Sequence, residues 1–206
     1  LLIFLKNYSE DKTMDSDRFM LHRPPDRDQT IPGESLSHDQ RIVVIQDTRE
    51  QDPWFFSPKE FVIVKAKLDE GDYSIRGFEK RITIERKWPN DFLTCCGSQR
   101  DRFKRELERM KNYDYAEVIV EGIPRADMSE GEYRSLISPH SVYATIASIS
   151  MNYKVMTYIF DTRAEAQSWA AKIFHLWIRR ILKGLGKPGD LGIAQELSLV
   201  KPGAVS

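Results

Sequence analysis

Residues 42–45 read Ile-Val-Val-Ile, a run with no polar side to turn toward water. A strand of this kind has to be covered on both faces, which restricts the fold to a sheet with material packed above and below it. Phe61-Val62-Ile63-Val64 is a second β-rich run, and Arg81–Lys87 alternates apolar and polar residues after a hairpin expected to turn near Gly77. Beyond Pro89 the period lengthens. Phe103, Leu107 and Met110 fall at i, i+4 and i+7, which predicts a helix from about Gln99 to Asn112. Ala116–Val120 and Val155–Phe160 read as further strands. Ser138-Pro139 starts a helix that runs to about Asn152. Thr162 and Glu165 form a capping box ahead of Trp169, Ile173, Phe174, Trp177, Ile181 and Leu182, and Gly184 ends that helix. Strands alternating with helices after a short meander give an α/β fold, a mixed central sheet flanked by helices. The expected organisation is a flexible N-terminal extension over 1–40, one domain over 41–184, and a flexible C-terminal tail over 185–206.

The 206 residues include 31 Lys+Arg and 31 Asp+Glu. That balance argues against a polycation working through a large positive field, though a local basic patch stays open. No stretch approaches the roughly 18 apolar residues of a membrane span. Cys95 and Cys96 are adjacent, so no disulfide framework is expected, and a reducing interior is the natural compartment. They read as a small buried pair starting a loop that ends at Gly97. His22, His38, His140 and His175 show no metal-ligand spacing, and no Gly-rich phosphate loop suggests a nucleotide cofactor.

Within Arg81–Lys87, period two places Ile82, Ile84 and Arg86 on one face and Thr83, Glu85 and Lys87 on the other. The apolar side belongs against a core, which leaves Glu85 and Lys87 projecting together. A hairpin brings Asp72, which follows Gly71, beside Glu85. Such a pair suits metal-assisted hydrolysis: carboxylates hold a hard cation, and the lysine orients water or stabilises charge on a phosphate. An exposed Glu-x-Lys ion pair, worth about 0 to 1 kcal/mol, is the ordinary alternative. The joint presence of Asp72, Asp91, Asp47 and Glu50 favours the site.

Gly71-Asp72, a spacer, and Glu85-Arg86-Lys87-Trp88-Pro89-Asn90-Asp91 resemble the signature of the XPF-type structure-specific endonucleases, the nuclease domain of excision-repair cross-complementing group four. Asp47-Thr48-Arg49-Glu50 resembles that family's first motif. The likeness runs over residues 41–122 in motifs and over 123–183 in the order of elements, and is nearest to the short bacterial and phage-borne forms. It implies a restriction-endonuclease-like, PD-(D/E)XK, nuclease fold. It also implies a Mg²⁺ (or Mn²⁺) cofactor held by Asp72, Glu85 and the carbonyl of Arg86, with Lys87 as the catalytic lysine. Asp47, Glu50 and Asp91 match acidic residues of the same site. Arg49 and Arg86 match motif arginines that either brace carboxylates or touch phosphate.

Arg102, Arg105 and Arg109 share one side of the Gln99–Asn112 helix, placed either to track DNA phosphates or as a solvated face with ion pairs. Trp88, Tyr113 and Tyr115 either stack on unpaired bases or pack. The helix bearing Trp169 and Trp177 is core, with a homodimer seam as the alternative. The long members of the family carry tandem helix-hairpin-helix modules, and 185–206 is too short for them. Substrate choice is therefore expected to be broad, or to come from a protein partner. The expected function is metal-dependent endonucleolytic cleavage of branched, flapped or forked DNA in repair or recombination. The alternative is a non-catalytic DNA-binding or scaffold subunit. The implied location is intracellular: the cytoplasm or nucleoid of a bacterium, or host cytoplasm for a phage-derived chain.

Overall fold

A computed structural model describes residues 40–122 and 138–201. All of the expected N-terminal extension except Gln40 lies outside the described residues. β1 (Arg41–Asp47) is the strand that the apolar run predicts, and it lies inside the sheet. On one side it pairs in parallel with β2 (Phe61–Ala66), and on the other antiparallel with β3 (Tyr73–Ile75). β4 (Ile82–Lys87) runs antiparallel to β3, and β5 (Tyr115–Glu121) and β6 (Met156–Phe160) extend the sheet in parallel. The order is β2-β1-β3-β4-β5-β6.

The alternation along the strands divides the core into two layers. Ile42, Val44, Ile82, Ile84 and Ile119 face one layer, closed by α4 (Arg163–Leu182) through Ala166, Ala170, Phe174, Trp177, Ile178 and Ile181. Ala116, Val118 and Val120 face the other, with Phe92 of α1 (Pro89–Cys96), Phe103 and Leu107 of α2 (Arg100–Met110), and Val142 and Ile149 of α3 (Pro139–Tyr153). The helix signals act as predicted. Ser138 Oγ accepts from Ser141 N at 3.3 Å ahead of Pro139. Glu165 N donates to Thr162 Oγ1 at 3.2 Å, while Thr162 N donates back to Glu165 Oε2 at 3.1 Å. One polar group sits deep in the α4 layer. Burial pushes the Glu117 carboxyl up to about 7, although the Tyr115 hydroxyl and the Trp169 indole donate to it.

Two expectations need correction. Cys95 and Cys96 end a helix instead of starting a loop, because Pro89 at its first turn and buried Phe92 and Leu93 already supply a helical face. The residues after Gly184 do not all form a tail. α5 (Asp190–Ile193), a π turn (Ala194–Ser198) and β7 (Leu199–Val200) pack on the domain, and β7 pairs antiparallel with the start of β1. Arg81 holds Asp190, Lys187 Nζ donates to Asp114 Oδ1 at 2.7 Å, and Ser198 Oγ donates to the Arg76 carbonyl at 2.5 Å. Gly77, at φ +85°, gives this segment its seat: a Cβ there would lie 2.6 Å from Ile193 Cγ2. Elements of two to five residues are too short for periodicity to reveal. Among the described residues no helix is long and apolar enough to cross a membrane.

Candidate active site

The site begins with a close approach of backbones. Gly71 has φ +78°, and a Cβ on it would lie 2.0 Å from Thr83 Oγ1 and 3.0 Å from the Ile84 carbonyl. Only glycine permits that contact, and it delivers Asp72 onto β4. Asp72 N donates to the Ile84 carbonyl at 2.9 Å, and Asp72 Oδ2 accepts from Arg86 N at 2.8 Å. The carboxylate is thereby fixed beside Glu85. Glu85 and Lys87 point together into an open cleft of about 620 Å³, as period two on β4 predicts.

Charge in the cleft is unbalanced. Burial, then repulsion from Glu50, pushes the Asp72 carboxyl up to about 6 against the Arg86 N–H that favours its ionised form. Burial and the neighbouring Asp72 raise Glu85 well above the ordinary carboxylate range. Burial works to lower Lys87, but Glu85, which accepts from its Nζ, and Glu106, 3.6 Å away, more than offset it, so its pKa rises. Held this way, the ammonium is favoured over the neutral amine. Among the described residues no three His, Cys, Asp or Glu side chains gather into a ready ligand cluster. Two carboxylates and a backbone carbonyl nevertheless fit a hard cation that keeps several waters, as Mg²⁺ does. A cation there would relieve the repulsion between Asp72 and Glu85.

Arg86 faces away from Glu85 and organises the rim. Its side chain is 2% exposed. Nε and Nη2 donate to Glu121 Oε1 at 2.9 and 2.5 Å, and Nη1 donates to Glu50 Oε1 at 3.2 Å and to the Asp52 carbonyl at 2.8 Å. Glu121 also accepts from Trp54 Nε1, and Arg163 donates to the carbonyls of Asp52 at 2.9 Å and Pro53 at 2.5 Å. This buried network pins the loop carrying Arg49, Glu50 and Asp52 along the cleft. In this structure the Arg86 guanidinium contacts carboxylates and a loop carbonyl, the arrangement the bracing role calls for.

Seven of the eight expected catalytic residues line the cleft: Arg49, Glu50, Asp72, Glu85, Arg86, Lys87 and Asp91. Asp47 is not on its wall. That carboxylate accepts from Arg49 N and Nε, both at 2.7 Å, from Arg49 Nη2 at 3.0 Å and from Leu68 N at 2.7 Å. Burial acts to raise the Asp47 carboxyl, yet these donors hold it below the usual range. Its work is to aim Arg49, whose side chain stays 63% exposed. Of the arginines expected to meet DNA, Arg102 reaches the cleft, Arg105 is exposed on α2 away from it, and Arg109 is bound to Glu70.

Glu106 was not among the expected site residues. It lines the cleft on the same helix as Phe103 and Leu107, which pack in the core. Its place at i+3 from Phe103 was the available signal, since that position borders the buried stripe facing β4.

A cleft of this composition at the ends of β1 and β4 defines a restriction-endonuclease-like α/β domain. The ERCC4 domain family matches residues 46–173, and the chain belongs to it. XPF from Aeropyrum pernix superposes with a TM-score of 0.50 at 22% identity, covering 69% of this chain and 68% of that one. XPF from Aeropyrum pernix in complex with DNA gives a TM-score of 0.49 at 19% identity, covering 75% and 90%. No curated protein matches the chain. The chain's family is thus the ERCC4 domain family, and the mixed sheet flanked by helices is the fold it shares with XPF.

Proposed function

We propose that the chain is a Mg²⁺- or Mn²⁺-dependent endonuclease that hydrolyses phosphodiester bonds in branched, flapped or forked DNA. The observation that carries this reading is the Asp72 carboxylate, tied to Arg86 N at 2.8 Å beside Glu85, with Lys87 charged in the same cleft. Asp72, Glu85 and the Arg86 carbonyl hold the cation. When bound, it would lower the pKa of a coordinated water and neutralise charge on the phosphate oxygens. Lys87 stabilises the negative charge that grows on the phosphate oxygens. Arg49 and Arg102, on the cleft wall, hold flanking phosphates. Asp91 and Glu50 border the site, and Glu50 keeps Arg86 in place.

Labelled flap, fork, four-way and plain duplex DNAs, incubated with Mg²⁺, Mn²⁺ or a chelator, test the proposal. The expected result is incision near junctions that needs a cation. In an Asp72→Ala, Glu85→Ala variant it should fall by more than about a hundredfold, the upper end for loss of a mere outer-shell partner. Equal activity in the two proteins would overturn the reading. Junction binding with no incision under any cation would establish the non-catalytic alternative instead.

A further inference from the structure

We propose that the exposed face of Trp88 is a stacking site for one unpaired nucleobase next to the cleft, an inference that rests on the nuclease reading above. Trp88 follows Lys87 directly and lines the cleft, yet it is 43% exposed. The other apolar groups on that wall, Phe103 and Cys95, are buried, so the indole is the apolar surface the cleft offers. The Arg86 guanidinium lies 4.7 Å from the ring centroid, against one side of an indole that stays largely accessible. Arg86 is itself locked to Glu121 and Glu50, so the platform is pre-organised.

The occupant follows from chemistry. Bases inside a duplex are stacked on each other and present no free π-face, whereas an unpaired base at a fork or flap does. Arg49 and Arg102 on the same cleft supply cations for the phosphates on either side of that nucleotide. The indole therefore favours DNA whose strand is unpaired next to the incision.

The competing role for Trp88 is a lid over the Arg86–Glu121 network, and two substitutions separate the roles. Leucine keeps apolar cover without a π-face, and phenylalanine keeps both. The full chain is titrated with single-stranded oligothymidylate and with a duplex of equal length, in chelator so that nothing is cut. Expected are quenching of tryptophan emission by the single strand, its loss in Trp88→Leu, and a single-strand affinity lowered about tenfold or more in Trp88→Leu but only about twofold in Trp88→Phe, with duplex affinity unchanged. The inference is overturned if leucine and phenylalanine behave alike, or if single-strand and duplex affinity fall together. Because this assay needs no cleavage, failure of the nuclease reading would show in the incision assay and leave the stacking result readable.

Discussion

Replacing Lys87 with alanine is expected to lower incision of forked DNA by about a hundred- to a thousandfold, the range for removing one group aimed at transition-state charge. Divalent-cation binding should be retained or tightened. The two effects separate because Lys87 lies between Glu85, which accepts from its Nζ, and Glu106 at 3.6 Å. Removing the ammonium leaves those carboxylates and Asp72 with more uncompensated negative charge, which attracts a cation more strongly. Arginine at this position keeps a charge but spreads it over a planar fork, so Lys87→Arg should restore only part of the activity. Single-turnover incision measured beside a Mn²⁺ titration checks both halves. A Lys87→Ala protein that loses cation binding along with cleavage would make Lys87 a structural counter-ion only.

Glu121→Ala should be the most destabilising single exchange near the site, costing about 3 to 5 kcal/mol. Glu121 is fully buried, and its carboxylate accepts from Arg86 Nε and Nη2 and from Trp54 Nε1. Its removal leaves a guanidinium that is 2% exposed with Glu50 at 3.2 Å and Asp52 at 3.5 Å as remaining charge partners. Against a typical domain stability of about 5 to 15 kcal/mol, that loss is large. Urea melts of Glu121→Ala, Arg86→Met and the double variant give the coupling. The double change should cost less than the sum of the two, since it leaves neither the buried guanidinium nor the Glu121 carboxylate without the other. Strict additivity would show that the two groups do not act as a pair.

The strand bearing Glu85 and Lys87 was legible because its information is local. Alternation over Arg81–Lys87 puts Glu85 and Lys87 on one side, and Gly-Asp ahead of a hairpin brings Asp72 alongside. The roles of Arg86 and Arg109 were not legible, because each depends on a distant partner: Glu121, 35 residues from Arg86, and Glu70, 39 residues from Arg109. A motif places an arginine at a site without saying whether its guanidinium faces the cleft or the core. Glu106 escaped for a related reason. Among alternating charges on a helix it looks like any solvated residue until β4 is packed against it. The C-terminal α5–β7 segment is held by Arg81, Asp114 and Arg76, contacts between distant parts of the chain that no local pattern records.

The central claim is that Asp72 and Glu85 share one divalent cation. The most direct measurement is a Mn²⁺ titration of the full chain followed by electron paramagnetic resonance, with the wild type and the Asp72→Ala, Glu85→Ala variant, at about pH 7.5 and about pH 5. The Asp72 carboxyl is raised to about 6, so it retains its proton at the lower pH, and a protonated carboxyl does not ligate; Glu85 is shifted in the same direction by burial and by Asp72. One bound ion at the higher pH, weaker binding at the lower, and none in the double variant is the predicted result. Binding of the same stoichiometry and affinity in the double variant would contradict it.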